Sequence, residues 1–347
     1  MRRRPSWRAL VFTLVVLACA AAGGTSVGLA VIQAHSSSPP PGVRVVSGAS
    51  LAGVSRDVQV TKATSLDAAR GPQLLFRSAI PDKSFGKLAV APLSNPNGTR
   101  AVSDLTCDRV YFAGGKGLCL TATGAFASQY VAKIFDAHFN VSKTFSIPGI
   151  PSRARVSADG RVGVLTTFVN GDSYAPGNFS TRTLLIAMAT GKTIASLEQF
   201  KVTRDGKPFY NRNFNFWGAT FLPDDDHFYA TLGSGKNTYL VSGNIATRRM
   251  TVVYTHLECP SLSPDGTRIA FKRSLNSHGS WRLYVLDLKT MKAHPLAETQ
   301  SVDDQAEWLD NTHVLYWRGS DIWVVPADGS GTPQIYVSDA SSPSVIR

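Results

Sequence analysis

The chain of 347 residues is long enough to bury the core of one large domain or of two ordinary ones. Hydrophobic residues make up 43% and charged residues only 17%, while 29 glycines and 19 prolines interrupt the apolar runs. Segments rich in Val, Thr, Phe and Tyr between turn formers predict an all-β protein and argue against an α/β fold. The net charge of +12 predicts a surface that attracts anionic groups, although a surface that is basic only for solubility explains it equally well.

The N-terminal residues have the pattern of a membrane-targeting segment. Residues 1–9 form a basic tail that is predicted to be cytoplasmic, and residues 10–32 contain no charged side chain. That stretch has about the 20 residues that a helix needs to cross the hydrocarbon, and the arginines before it predict that the rest lies outside the cytoplasm. A retained single-pass anchor in the cell membrane is expected. A cleaved signal peptide of a secreted or periplasmic protein, and a loose lipoprotein signal at Val16–Cys19, are the alternatives.

Residues 33–70 are predicted to form a Ser/Pro-rich linker and a strap ahead of a large domain at residues 71–347. The linker begins with HSSSPPPG at His35–Gly42, which is typical of a flexible or polyproline spacer. Residues 43–70 are expected to add an outer strand to the domain or to form the strap.

Cys107 and Cys119 lie on either side of a candidate hairpin turn. Two opposed strands would bring their Cβ atoms near bonding distance, so a disulfide is predicted, with two reduced and buried thiols as the alternative. The sequence has no Cys-x-x-Cys pair and its seven histidines are scattered, so it predicts no metal site and no cofactor.

One short motif recurs in the chain, and each copy ends a strand, makes a tight turn and begins an alternating apolar strand. Copies occur at residues 105–113, 156–165, 221–230, 262–271 and 308–317. Pro presets φ for a turn, Asp bonds its own backbone and Gly tolerates positive φ, so Asp159, Gly160, Asp265 and Gly266 are predicted to be structural turn residues. Four short strands repeated about every 40 residues predict the blades of a β-propeller.

The sequence LSPDGTRIAF at Leu262–Phe271, followed by LYVLDLKT at Leu283–Thr290, resembles the TolB-like, or PD40 (WD40-like), propeller repeat. The resemblance implies a six-bladed propeller that serves mainly as a binding platform, although some relatives place such a propeller before a peptidase domain. Ser342–Ile346 resembles the start of another blade. We expect it to supply the missing strand of the first blade, because closure of the ring removes open sheet edges. The predicted blades span residues 72–102, 103–150, 151–200, 213–255, 256–298 and 302–340.

The sequence contains no recognisable catalytic set, and no catalytic residue is predicted. Gly24–Gly28 matches a nucleophile-elbow pattern, but it lies inside the apolar N-terminal segment and is interpreted as a chance match. Asp224–Asp226 falls at a blade turn and is interpreted as a solvated turn. Gly233–Lys236 is too short for a phosphate-binding loop. The propeller occupies the rest of the chain, which leaves no room for a peptidase domain.

Longer polar loops are predicted on the face opposite the Pro-Asp-Gly turns, where binding sites usually lie on a rigid scaffold. These loops are residues 170–180, 201–213 and 272–280. We expect a basic rim with aromatic side chains that suits an anionic ligand or an acidic protein segment, against the alternative of loops that are simply polar. The candidate binding residues are Tyr174, Arg204, Tyr210, Arg212, Lys272, Arg273 and His278.

The sequence therefore predicts a non-catalytic, extracytoplasmic binding or scaffold propeller for an envelope protein or an anionic envelope polymer. Its N-terminal segment would hold it to the membrane, and no nucleic-acid partner is expected. The alternative is a hydrolase or lyase with its site at the central channel, and a ligand sensor is a third possibility. Charged side chains that converge on the channel from several blades would favour the enzyme. A plugged channel with a basic rim would favour binding.

Overall fold

The computed structural model describes residues 58–66, 71–124, 129–169, 180–276 and 279–347. Within these ranges the chain is almost entirely β-structure, with one single-turn 3₁₀ helix at Leu197–Gln199. The predicted anchor at residues 10–32 and most of the predicted linker lie outside the described residues. No helix among the described residues has the length and apolar character needed to span a membrane.

The strands of the first three blades are, in chain order, β1 (Val60–Lys62), β2 (Gln73–Ser78), β3 (Lys87–Pro92), β4 (Arg100–Thr106), β5 (Arg109–Ala113), β6 (Lys116–Thr123), β7 (Gln129–Asp136), β8 (Val141–Ser146), β9 (Ile150–Val156), β10 (Val162–Val169), β11 (Ser180–Ala187) and β12 (Thr193–Ser196). The later strands are β13 (Lys201–Arg204), β14 (Lys207–Phe209), β15 (Phe214–Phe221), β16 (His227–Ser234), β17 (Asn237–Asn244), β18 (Arg249–Thr255), β19 (Glu258–Leu262), β20 (Arg268–Ser274), β21 (Trp281–Asp287), β22 (Lys292–Pro295), β23 (Glu307–Trp308), β24 (His313–Arg318), β25 (Asp321–Pro326), β26 (Gln334–Val337) and β27 (Ala340–Ile346).

These strands form six sheets, each built on a four-stranded antiparallel meander, so the predicted all-β fold of six propeller blades is confirmed. Blades two, three, five and six contain β5–β8, β9–β12, β19–β22 and β23–β26. Blade one has the order β27-β2-β3-β4-β1, and blade four has the order β15-β16-β17-β18-β13-β14.

The last strand closes the ring, as the sequence predicted. β27 pairs antiparallel with β2, with Gln73 opposite Ile346 and Leu74 opposite Val345, and so becomes the innermost strand of blade one. At the other edge of that blade, β1 pairs in parallel with β4 and adds the expected outer strand. Both ends of the described chain are therefore held by the same sheet.

Apolar side chains from neighbouring blades pack between the sheets and form the core. Leu185 of blade three packs in one cluster with Phe216 and Phe228 of blade four, and Leu283 of blade five packs with Trp308 of blade six. A blade has two apolar faces and needs a neighbour on each side, which is why the middle strands are continuously hydrophobic. Burial of each such side chain contributes about 1.5–3 kcal/mol relative to leaving it exposed.

The turns between the first and second strands of the blades all lie at one end of the ring, which we call the turn face, and the opposite end is the loop face. At Asp159, the side chain accepts hydrogen bonds from the Ser157 hydroxyl (2.7 Å) and the Arg161 amide (2.9 Å). Gly160 has φ +71°, and a Cβ there would lie 2.4 Å from the carbonyl oxygen of Gly114 in the turn of blade two. This turn of blade three therefore packs directly against the turn of blade two.

One copy of the motif occupies a different position from the one that the sequence indicated. The residues after β4, Cys107 and Asp108, connect blades one and two, and the first turn inside blade two is formed by Gly114 and Gly115. Cys107 and Cys119 form a disulfide with Cα atoms 5.5 Å apart. Since Cys119 lies in β6, the bond links the end of blade one to blade two.

Candidate binding sites

An ion pair crosses the central channel between opposite blades. Arg155 of blade three lies 3.3 Å from the carboxylate of Glu307 in blade six and donates a 2.8 Å hydrogen bond to the carbonyl of Ala306. Its guanidinium lies 4.5 Å from the ring centre of Tyr111 in blade two, whose hydroxyl donates to Glu307 at 3.4 Å. Burial raises the pKa of Glu307, and the attraction of Arg155 opposes that rise. We call this group the channel bridge.

The channel bridge lies on the wall of a cavity of about 670 Å³ at the turn face. A second cavity of about 670 Å³, which we call the loop-face cavity, has a separate set of lining residues. Its aromatic and charged residues are Phe168, Trp217, Trp281, Trp317, Arg109, Arg153, Glu258, Lys272 and Asp303, and it also includes the free thiol of Cys259. Charged side chains thus line the channel at the loop face, and the Arg155–Glu307 ion pair crosses it further inside.

Most charges of the loop-face cavity are paired. Lys272 bonds the carboxylate of Asp303 directly and lies 3.7 Å from that of Glu258. It also stands over the ring of Trp281 at 4.3 Å. Arg153 lies 3.6 Å from the same carboxylate oxygen of Asp303, Oδ1. Burial raises the pKa of Glu258, and Lys272 counteracts that effect. Two cations and two carboxylates therefore compensate one another across blades three, five and six.

A groove of about 760 Å³ lies between blades three and four, and we call it the blade 3–4 groove. Its cations are Arg182, Lys201, Arg212 and Arg249, and its aromatic residues are Phe200, Phe209, Tyr210 and Phe214. Its carboxylate, Glu198, accepts hydrogen bonds from the Ser196 hydroxyl and the Thr183 amide. Burial raises the pKa of Glu198. The groove therefore has an excess of positive charge beside its aromatic rings.

A β-hairpin forms one wall of this groove, where the sequence analysis expected a loop at residues 201–213. β13 pairs in parallel with β18, and β14 folds back on β13 through a turn with φ +51° at Asp205 and +71° at Gly206. The hairpin brings Phe209 to 5.1 Å and 5.7 Å, between ring centres, from Phe214 and Tyr239. Blade four is thereby extended to six strands.

The structure separates the residues that the sequence analysis assigned to a single rim. Tyr210, which is 80% exposed, and Arg212 lie in the blade 3–4 groove. Arg204 supports the hairpin, since its guanidinium donates to the Tyr239 hydroxyl at 3.3 Å and stacks on the ring at 5.1 Å. Lys272 is only 4% exposed and is paired inside the loop-face cavity.

Arg273 lies apart from both sites. It stacks on Tyr284 at 4.4 Å and donates to the carbonyl of His256. The two remaining candidates, Tyr174 and His278, lie outside the described residues. The expected continuous rim is therefore divided between an outer groove and an inner cavity.

Solved structures of other proteins share the architecture of this chain. No protein-family model matches the sequence, and no curated protein matches it. Among solved structures, TolB from Acinetobacter baumannii matches with a TM-score of 0.52 and 15% identity, over 79% of this chain and 66% of that chain. The chain has a TolB-like β-propeller fold. A structure of a nidogen/laminin complex also matches, with a TM-score of 0.54 and 12% identity over 79% of this chain and 98% of that chain.

Structural similarity at 15% and 12% sequence identity establishes the fold of this TolB-like propeller. Its function has to be inferred from its own sites. The propeller spans about two thirds of the length of the TolB chain. Sequence reasoning missed Arg109, Arg153, Arg155, Glu258 and Asp303 as site residues. The only local signal was a charged residue near the start of an innermost strand, for example Arg109 in β5 and Glu258 in β19.

Proposed function

We propose that this TolB-like propeller is a non-catalytic, extracytoplasmic binding module that docks an acidic, aromatic-containing segment of an envelope protein in the blade 3–4 groove. The observation that carries the proposal is the charge of that groove. Among the described residues, no carboxylate lies within ion-pair distance of Lys201, Arg212 or Arg249. An acidic segment would supply the missing negative charge.

The rings of the groove add a second kind of contact. Tyr210 is exposed, and its ring centre lies 6.2 Å from that of Phe214, which in turn packs against Phe209. Exposed Tyr and Arg side chains are frequent anchors of protein interfaces. The hairpin that presents them is tied to blade four by backbone hydrogen bonds, so the segment would dock on a preformed surface with a small ordering cost.

The experiment measures fluorescence anisotropy of labelled ten-residue peptides with the full-length protein in detergent. A peptide of Asp, Glu and Phe is expected to bind, and the matched Lys/Arg/Phe peptide is not. Affinity for the acidic peptide should fall as salt rises, because the cations of the groove are exposed. The double variant Lys201→Glu/Arg212→Glu should weaken binding at least about tenfold, which corresponds to 1.4 kcal/mol.

Lys292→Glu, on the outer strand of blade five, is the matched control and should bind like the unaltered protein. Equal binding of both peptides, or full affinity in the double variant, would contradict the docking site. The extracytoplasmic placement is supported by the charge pattern of residues 1–32. Digestion of the propeller by an external protease in spheroplasts is the expected result, and protection would contradict that placement.

The second candidate, a hydrolase or lyase acting at the channel, is supported by the charged groups that blades two, three, five and six bring to the loop-face cavity. Its carboxylates, however, are already engaged, since Asp303 and Glu258 both compensate Lys272. No histidine lines either channel cavity among the described residues. The channel bridge also closes part of the path, and a bridged channel beside a basic groove favours binding.

A further inference from the structure

Arg109 is the one cation of the loop-face cavity that has no partner among the described residues. It opens β5, the innermost strand of blade two, and its guanidinium lies 5.7 Å from the ring centre of Trp317. The other two cations, Arg153 and Lys272, share Asp303 as a partner. Arg109 makes no hydrogen bond or ion pair within the described part of the chain, so its donors are available to a ligand.

The surroundings of Arg109 leave its positive charge undercompensated. Burial lowers its pKa, and repulsion by Arg153 lowers it further, while Asp304 and Asp303 oppose both effects from a distance. A guanidinium stays protonated in proteins, so Arg109 keeps its positive charge in the cavity. A bound anion would compensate that charge. The forked N–H donors of the Arg109 guanidinium match the geometry of a carboxylate.

The walls of the cavity are aromatic. Trp217, Trp281 and Trp317 come from blades four, five and six and surround a volume of about 670 Å³, within the range of small-molecule sites. Their faces can stack on a flat or cyclic body. Glu258 and Asp303 disfavour a second negative charge, because they stand at the same cavity. Among the described residues, one unpartnered cation beside three indoles therefore favours a single carboxylate on a ring.

We propose that the loop-face cavity is a second binding site, independent of the blade 3–4 groove, which takes a monocarboxylate carried on a ring. Arg109 holds the carboxylate, and the indoles of Trp217, Trp281 and Trp317 pack against the ring. The ring is aromatic or that of a sugar acid, since either presents a face to an indole.

The test uses calorimetric titration of the full-length protein in detergent with benzoate and with glucuronate. Their neutral counterparts, benzamide and glucose, are the controls for charge, and inorganic phosphate is the control for a bare anion. At least one of the two acids is expected to bind with a dissociation constant of about 1 mM or tighter, which lies within the affinity that ligands of this size can reach. Tighter binding of benzoate would indicate an aromatic ring, and tighter binding of glucuronate would indicate the ring of a sugar acid.

Arg109→Gln should weaken acid binding about tenfold or more, in line with a lost charge-assisted hydrogen bond. Because Arg109 makes no hydrogen bond or ion pair with any described residue, the melting temperature of Arg109→Gln should not fall by more than the small loss of the Trp317 ring contact. Trp317→Leu should weaken binding of the acid and leave the weak interaction with phosphate as it is. Arg161→Gln, the same substitution at an exposed arginine of the turn face, should have no effect.

Equal binding of acid and neutral ligand, full affinity in Arg109→Gln, or no binding of either acid would overturn the proposal. Phosphate that binds as tightly as the acids would overturn the part played by the ring. The groove variant Lys201→Glu/Arg212→Glu should bind the acids normally. The experiments can therefore contradict the proposed cavity site without contradicting the proposed groove site, and the reverse.

Discussion

Single carboxylates fix the turns of the repeat. The Oδ1 atom of Asp265 accepts hydrogen bonds from the Ser263 hydroxyl (2.5 Å) and from the amide (3.0 Å) and hydroxyl (2.8 Å) of Thr267. These bonds, with that from Ser263 the largest contribution, lower the pKa of Asp265 to about 2. The ionised side chain is thus part of the folded turn.

A lowered pKa makes the stabilising effect of Asp265 depend on pH. Its contribution is present above the ordinary value of 3.8 and is lost as pH falls through about 2. We expect Asp265→Asn to reduce the free energy of unfolding by about 1 kcal/mol at neutral pH, a figure discounted for the partial exposure of the side chain. The difference from the unaltered protein should shrink from pH 3.8 downwards, in urea denaturation at a series of pH values.

The control for this comparison is Asp104→Asn, because the Asp104 side chain is 79% exposed and its nearest lysines are at 3.5 Å and 3.7 Å. Its effect should be a few tenths of a kcal/mol. A difference between Asp265→Asn and the unaltered protein that stays constant at all pH values would show that the turn does not depend on the ionised carboxylate.

Turn residues could be predicted from the sequence because all their hydrogen-bond partners lie within a few positions. Asp265 needs only Ser263 and Thr267, so a ten-residue window contains the whole feature. The loop-face cavity has the opposite character. Arg109, Glu258 and Asp303 meet there only because the ring closes, and no local pattern distinguishes them from solvated charges.

Among the elements, the hairpin at residues 201–209 was missed although its signal was present. Asp205-Gly206 between alternating residues is a strong two-residue hairpin signal, since both positions adopt positive φ. The hairpin was missed because each blade was expected to contain four strands, and blade four contains six. The closing strand β27, in contrast, was predicted because Ser342–Ile346 resembles the start of a repeat and blade one lacked its first strand.

The Cys107–Cys119 disulfide joins the connection that follows β4 to strand β6 and closes a loop with a sequence separation of 12 residues. Cross-linking a loop of that length restricts the unfolded chain by about 3 kcal/mol in the loop-entropy description. We expect Cys107→Ser/Cys119→Ser to lower the free energy of unfolding by up to about 3 kcal/mol in guanidinium denaturation. The blade fold itself should remain.

A reducing agent provides the control for that variant. It should lower the stability of the unaltered protein toward that of the double variant and should have no further effect on the variant itself. Cys259 is buried and outside the bond, so its thiol should contribute nothing to the difference. Equal stability of the two proteins under oxidising conditions would contradict a stabilising disulfide.

At the scale of the whole molecule, the ring is held at its rim and across its centre. β27 joins the end of the chain to blade one, and Ser344 of that strand accepts a hydrogen bond from the Phe112 amide of blade two at 3.0 Å. Adjacent turns are also linked, since the Asp225 carboxylate accepts from the Ala158 amide at 2.9 Å. The channel bridge adds a connection between blades three and six, which lie opposite each other.

The channel bridge should behave as a buried pair whose members depend on each other. Arg155→Met removes the ion-pair partner of the buried Glu307 carboxylate and leaves the weaker attraction of Arg347. Loss of one partner from such a pair costs about 3–5 kcal/mol, and the remaining attraction of Arg347 favours the lower end of that range. Glu307 already has a raised pKa because of burial, and the loss of Arg155 should raise it further. A carboxyl group whose pKa is higher in the folded than in the unfolded protein makes the folded protein more stable as pH falls. Arg155→Met should therefore recover part of its stability as pH falls from 7 toward the raised pKa.

The double variant Arg155→Met/Glu307→Gln removes both charges and keeps a polar acceptor for Tyr111. We expect it to be more stable at neutral pH than Arg155→Met alone, with a coupling energy of about 1–3 kcal/mol in the double-mutant cycle. Urea denaturation of the four proteins at pH 7 and pH 5 measures both effects. Additive losses, with no recovery at pH 5, would mean that each side chain stabilises its own blade and that opposite blades are not coupled through the channel.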